Sequence, residues 1–295
     1  MKRALCPGSM GELVQGVWEG KEVLISLTID RFAEMEVNLV NTLSVPKNQD
    51  IQKLWKSKRA LEIALEEWGL ADLGDHIEFR RRRWIPEGKG YASSTADIAA
   101  MLAALARLMG RDLCEEDIAR IALRVEPSDS TVFSQMCLFD HLRGSVLIRF
   151  PAPKNLGVVV VELPGTLDTV SVNRGFMCFK WSQYKIELSE AFENAQRGLE
   201  EGNLKLLGKA ATLSSWIAQS FFPEPIFEKL VEMSSAVGGL GVNRAHTGKA
   251  FGILFDTRIY RPEEMLRRVQ GCLAGEKVTL WAARVISGGA RLVHL

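Results

Sequence analysis

The chain has 295 residues, 47% of them hydrophobic and 25% charged, with a formal net charge of +1. That balance describes an ordinary globular protein and gives no electrostatic footprint for nucleic acid or an anionic membrane surface. Five widely spread cysteines without a CxxC pair, and four scattered histidines, argue for free thiols in a reducing cytosol and against a zinc site.

The first residues run from Met1-Lys2-Arg3 straight to Cys6-Pro7-Gly8 with no apolar stretch, so no signal peptide is expected and the cytoplasm is the expected location. The run from Leu156 to Val161 is far too short to span a bilayer. Residues 3–40 read as β-rich, with Trp18-Glu19-Gly20-Lys21 as a turn between apolar runs. Inside them CPGSMGELVQG, residues 6–16, has the glycines of a tight loop that approaches a ligand, or of a plain hairpin connection. Residues 57–69 predict an amphipathic helix ended by Gly69. Ile77 and Phe79 then alternate with polar residues into Arg80-Arg81-Arg82-Arg83, a solvated strand end from which one arginine could reach a phosphate.

The stretch PEGKGYASSTA follows, comprising Pro86, Glu87, Gly88, Lys89, Gly90, Tyr91, Ala92, Ser93, Ser94, Thr95 and Ala96. It feeds an apolar helix that ends at Gly110, with Ser94 as expected N-cap and Asp97 in the first turn. A glycine loop opening a helix is an anion site, because first-turn N–H groups lack intrahelical partners and the macrodipole is positive there. An ordinary loop with a capped helix has the same local pattern. A Walker A loop is excluded, since Asn243 and Ala250 stand around Gly248-Lys249 where Gly and Ser/Thr are needed. A dinucleotide fingerprint is excluded by Ser93 at the place of its last glycine.

A second helix, about Glu115 to Val125, must stop before Pro127. The oxygen-rich segment from Glu126 to Thr131 suits a hard cation and a proton acceptor, or simply a solvated turn. Val146–Ile148 and Val158–Val161 read as buried strands, with Pro151 and Pro153 marking a domain boundary between them. Residues 185–236 are helical, divided at Gly202-Asn203 and at Phe222–Pro225, with Leu199, Leu206, Leu207, Leu213 and Trp216 as core. Residues 238–256, GGLGVNRAHTGKAFGILFD, form a glycine-rich loop ending in a strand. The tail reads as a helix from Pro262 to Leu273 and two strands, Val278–Trp281 and Ala283–Val285.

Three of these stretches, in order, resemble the motifs of the GHMP kinases (galactokinase, homoserine kinase, mevalonate kinase and relatives). The central one is similar to PxxxGxGSSAA through Pro86, Gly90, Ser93, Ser94 and Ala96, with Ala92 in place of the last glycine and Thr95 in place of an alanine. The resemblance implies an α+β, two-domain fold with the nucleotide site in the cleft. Residues 1–152 would form a ribosomal protein S5 domain 2-like α/β domain and residues 153–295 a ferredoxin-like α+β domain. It implies ATP held by the loop from Pro86 to Thr95, Mg²⁺ held by Ser94 and Glu126, and Asp129 receiving the acceptor's proton. It places Ser9, Glu12, Gln15, Asn243 and His246 near the acceptor, and carries over Gly241, Gly248 and Gly252 of the third motif. Ser9 stands where several members have a lysine, so no catalytic lysine carries over. The strings GKGYASSTADIAA, EPSDSTVF, LFDH and GVNRAHTGKAFG are most similar to members acting on L-threonine for the linker of cobalamin, with homoserine as the alternative acceptor. A non-catalytic sensor on the same fold is the reading from another class, and keeping Ser94, Glu126 and Asp129 argues against it. Oligomeric state stays open, a homodimer included.

Overall fold

The structure is a computed structural model describing residues 1–40, 54–165, 180–245 and 249–293. Its frame is one ten-stranded antiparallel sheet in the order β5-β4-β2-β1-β7-β8-β6-β9, with β10 added to β1 and β3 to β2. Two long central strands, β1 (Lys2–Trp18) and β2 (Lys21–Leu39), form a hairpin. They are joined by Glu19 and Gly20, both at positive φ (49° and 76°), the two-residue turn whose twist matches that of the flanking strands.

The stretch from Cys6 to Gly16 is not the loop its glycines suggest. It is the middle of β1, and the register with β2 slips between Pro7 and Ser9, between Ser9 and Glu12, and between Glu12 and Val14. Bulges of this kind bend a strand and leave local backbone free of ladder pairing. β1 meets β7 (Gly241–Arg244) within this bulged part, at the pair Glu12 and Arg244. The third glycine-rich stretch likewise holds strand, β7 and then β8 (Ala250–Asp256).

The remaining strands extend the sheet on either side. β3 (Ile77–Arg83) lies on β2, and β4 (Met136–Asp140) and β5 (Ser145–Phe150) form one edge. β5 is terminal and half-exposed, so Val146–Ile148 is not the buried run its composition suggests. β6 (Leu156–Glu162) is buried almost throughout. Val158 and Val160 join the large core, while Val159 and Val161 join a second one, and a strand covered on both faces needs an unbroken apolar run. The tail holds one strand, β9 (Thr279–Arg284), instead of two, followed by β10 (Arg291–Val293), which the residues did not announce.

Seven helices lie among the described residues. α1 (Trp55–Glu67), α2 (Ser93–Met109) and α3 (Glu115–Leu123) come before β4. α2 packs on β1 and β2, with Ala96, Ile98, Ala99, Ala100, Met101 and Leu102 fully buried. α4 (Lys185–Glu201) and α5 (Leu204–Gln219) pair through Gly202 at φ 67° and an Asn203 side chain that accepts from Lys205 and Leu206 N–H. α6 (Ile226–Val237) and α7 (Pro262–Cys272) cover the second core. Of the expected stripe, Leu199 and Leu207 are core, Leu206 and Leu213 are half-buried and Trp216 is 42% exposed. Trp216 instead lays its ring edge-on to Phe227 at 4.9 Å, at the rim of the second core. No described helix is long and apolar enough to cross a membrane.

Gly11 marks a close backbone approach in the site-bearing part of the sheet. It sits at φ 59°, and a Cβ there would lie 2.3 Å from the Ala245 Cα and 2.5 Å from the Arg244 carbonyl oxygen. Backbone cannot yield as a flexible side chain does. Gly20, at φ 76°, has nothing within 4 Å. Gly20→Ala should therefore cost only the left-handed backbone strain, about 1–2 kcal/mol. Gly11→Ala should cost that strain plus overpacking, about 3 kcal/mol or more. Denaturant unfolding midpoints of the two variants check the difference.

Candidate active site

The loop before α2 has positive φ at alternate positions: Gly88 (71°), Gly90 (77°) and Ala92 (53°). Alternation of this kind turns successive N–H groups into a concavity suited to an anion. Ala92 is one of three described non-glycine residues at positive φ. An alanine held left-handed stores strain, and such strain persists only where the surroundings over-determine the backbone.

The helix begins two residues earlier than the sequence suggests. Ser93 is its first residue, and Ala92 occupies the cap with no side-chain bond. Ser94 is thus not the N-cap. Ser93, Ser94 and Thr95 make up the first turn, where the N–H groups have no i−4 carbonyl. Asp97 is not a first-turn acid either. It turns inward, 4% exposed, and pairs with Arg81 Nη2 at 2.6 Å. The arginine run is accordingly divided by strand alternation. Arg80 and Arg82 grip the buried Glu36, and Arg81 holds Asp97 and Glu87 from the other face, beside the start of the loop.

The loop is anchored at both ends of its turn. Lys89 Nζ donates to the Leu163 carbonyl at 2.8 Å and pairs with Glu162 at 3.2 Å. Tyr91 donates its hydroxyl to Glu162 at 2.9 Å and stacks edge-on against Trp281, over which Arg31 lies. The alternation of the sequence showed neither Glu162 nor Trp281 as part of this region, because they come from β6 and β9. On the near side, Ser9 N–H donates to the Tyr91 carbonyl at 3.1 Å. Gly8 permits that contact, since a Cβ there would sit 2.5 Å from the same oxygen. The first and second glycine stretches are therefore in backbone contact.

The segment after α3 closes on the helix start. Asp129 N–H donates to Thr95 Oγ1 at 3.3 Å, and the Thr95 hydroxyl also bonds the Asp129 carboxyl. Burial, and next the charge of Glu126, raise that carboxyl to about 6 against the pull of the threonine. Glu126 Oε2 pairs with Lys56 at 2.5 Å. Its other oxygen, Oε1, is buried and has no hydrogen-bond partner among the described residues. Lys56, on the first turn of α1, was not singled out by any sequence motif.

The third stretch meets the first. Asn243 is fully buried, and its amide donates to the carbonyls of Met10 and Glu12, at 3.2 Å for the second. Gly252 makes room for that amide, since a Cβ there would lie 2.2 Å from Asn243 Oδ1. Ser9, Glu12 and Gln15 are buried on the same strand, and Ser9 Oγ has no hydrogen-bond partner among the described residues. Of the remaining candidates, His246 and Gly248 lie outside the described residues. β1 thus lies between the anion loop on one side and β7 on the other, with Glu126 and Asp129 brought to the loop by Thr95. The arrangement offers fixed N–H donors for phosphate oxygens, hard oxygens for a cation and a carboxyl with its pKa near neutrality.

Known proteins resemble this chain in sequence and in fold. The sequence profile of the GHMP kinases N terminal domain matches residues 56–135, which contain the loop, α2, Glu126 and Asp129. An L-threonine kinase of Salmonella typhimurium is 34% identical over 98% of this chain and 95% of its own. Among solved structures, a homoserine kinase from Cytophaga hutchinsonii superimposes with a TM-score of 0.76 at 14% identity, covering 99% of this chain and 97% of that one. A structure described as MDDEF in complex with MVAPP, AMPPCP and magnesium gives a TM-score of 0.70 at 15% identity, covering 100% and 99%. With a relative this similar along nearly its whole length, and the anion loop standing where the family profile matches, the chain belongs to the GHMP kinases and is an ATP-dependent kinase acting on a hydroxyl.

Proposed function

We propose that this enzyme phosphorylates the side-chain hydroxyl of L-threonine, giving L-threonine O-3-phosphate and ADP for the aminopropanol linker of cobalamin. The near full-length likeness to an L-threonine kinase is the observation that carries the reading. The cytoplasm is the proposed location. The two halves of the chain, 1–152 and 153–295, are its proposed domains.

Residues 86–95 and the start of α2 hold the triphosphate through backbone N–H groups. Ser9, Glu12 and Gln15 of β1 face the acceptor, with Asn243 fixing that strand and His246 proposed beside it. Mg²⁺ fits Ser94 and Glu126: both offer hard oxygens, and the buried, unpartnered Glu126 Oε1 is the kind of atom a cation satisfies. Bound there, the ion would neutralise phosphate charge. Lys56 supplies positive charge to the other oxygen of the same carboxylate and holds its orientation.

The reaction is an in-line displacement. The threonine hydroxyl oxygen forms a bond to the γ-phosphorus, the bond from that phosphorus to the β,γ-bridging oxygen breaks, and ADP leaves. The hydroxyl proton passes to Asp129, whose raised pKa matches a base working near neutrality. A loose transition state asks mainly for alignment and charge neutralisation, so a modest base suffices.

Purified enzyme with Mg·ATP and, separately, L-threonine, L-homoserine, L-serine and mevalonate should give phosphothreonine as strongly preferred product by phosphorus NMR. Preference for another acceptor would retire the threonine reading and the cobalamin role. Ser94→Ala and Glu126→Ala should each lower turnover by about tenfold or more and weaken the dependence on magnesium concentration. Asp129→Asn should lower kcat by about 10²-fold with KM for ATP nearly unchanged. A normal kcat in that variant would leave the proton to the γ-phosphate.

A further inference from the structure

Arg244 is among the largest side chains buried in the molecule, 1% exposed, on the strand that meets β1 beside Glu12. Its guanidinium is incompletely partnered. Nη1 donates to Gln219 Oε1 at 3.1 Å, and the group lies over the Phe251 ring with its central carbon 5.2 Å from the centroid. Nε and Nη2 are buried and have no hydrogen-bond partner among the described residues. Glu224 is the charge that acts on it, but that carboxylate is ion-paired with Lys249. Burial, opposed by Glu224, lowers the Arg244 pKa to about 10, as expected of a cation short of counter-charge.

The two unpartnered nitrogens are not an arbitrary pair. The N–H groups of Nε and Nη2 point the same way from the guanidinium plane's edge and form the fork that takes a carboxylate with two parallel bonds. The same molecule uses that edge elsewhere. Arg258 holds Asp256 through Nε at 2.9 Å and Nη2 at 2.6 Å. Arg82 holds Glu36 through Nε at 3.0 Å and Nη2 at 2.8 Å. At both of these structural arginines the fork is filled from within the chain. At the far more buried Arg244 no described residue fills it, although an uncompensated buried charge is costly.

We infer that Arg244 receives the α-carboxylate of the acceptor amino acid on its Nε–Nη2 edge, and so makes the carboxylate a condition of substrate recognition. This rests on the reading of the acceptor as L-threonine. On β1, Glu12 stands opposite Arg244 in the sheet register, and the Arg244 carbonyl lies where a Gly11 Cβ would be 2.5 Å away. A carboxylate at the fork would supply the missing counter-charge and two hydrogen bonds at once. An acceptor with a hydroxyl and no carboxylate would gain neither.

The test compares L-threonine with L-threonine amide, which keeps the hydroxyl and the amine and lacks the negative charge. The wild-type enzyme should prefer L-threonine by about tenfold or more in kcat/KM. Arg244→Lys and Arg244→Met, each checked for folding by its thermal melt, should raise KM for L-threonine about tenfold or more with kcat within about threefold. Arg244→Met should also narrow the preference over the amide to within about threefold. A wild-type enzyme indifferent between the two acceptors overturns the inference without any variant. So does a folded variant that keeps the wild-type KM and preference, which would make Arg244 a packing residue. If the wild-type enzyme phosphorylates neither acceptor, it is the L-threonine reading that falls, and this inference falls with it.

Discussion

The site depends on how closely three backbones approach one another around β1. Ser9 N–H reaches the Tyr91 carbonyl at 3.1 Å on one side, and Gly11 brings β1 against Arg244 and Ala245 on the other. No side chain fits at Gly8 or Gly11 without displacing backbone. The glycines therefore act less as hinges than as omissions. They let a bulged strand serve as the common wall between an anion loop and a strand from the other end of the chain, which sidesteps the usual distance set by side chains. Asn243 then locks that wall by bonding the Met10 and Glu12 carbonyls in the bulged part of the strand.

Around this wall the chain accepts local costs that a purely structural core would avoid. Ala92 is left-handed, Asp129 has its carboxyl pushed towards neutrality, and Glu126 and Arg244 each bury polar atoms without partners among the described residues. Each breaks a local rule of stability, and they gather in the region where phosphate, cation and acceptor chemistry is proposed. The support comes from the well-packed α2, which is buried on most of its surface, and from the two cores on opposite faces of β6. A rigid scaffold of this kind holds fixed dipoles in place before substrate arrives, which is how electrostatic stabilisation acts without reorganisation.

Much of the fold was legible because period and punctuation are local. Gly110 and Gly202 ended helices at the expected places, both left-handed, and Glu19-Gly20 made the expected turn. The Val158–Val161 run announced a strand covered on both sides. What was misread shares one cause. Cys6–Gly16 looked like a loop because glycine and proline are loop formers, and only pairing with β2 and β7 makes it strand. Val146–Ile148 looked buried because composition does not say which strand ends a sheet. Ser94 looked like a cap because its hydroxyl suits one, but three left-handed residues before it started the helix at Ser93.

By itself the sequence determined the side chains available: a glycine loop on a helix start, two acids after α3, and glycines wherever backbones must touch. Side-chain type and local spacing decide such things, and both are present in the chain before it folds. Tertiary structure alone decided the partners. Thr95 finds Asp129, Lys56 finds Glu126, Tyr91 finds Glu162, and Arg244 is buried with two of its three nitrogens unpartnered among the described residues. These are contacts between elements tens of residues apart in the chain, and their geometry follows from strand order and register, which no local pattern encodes.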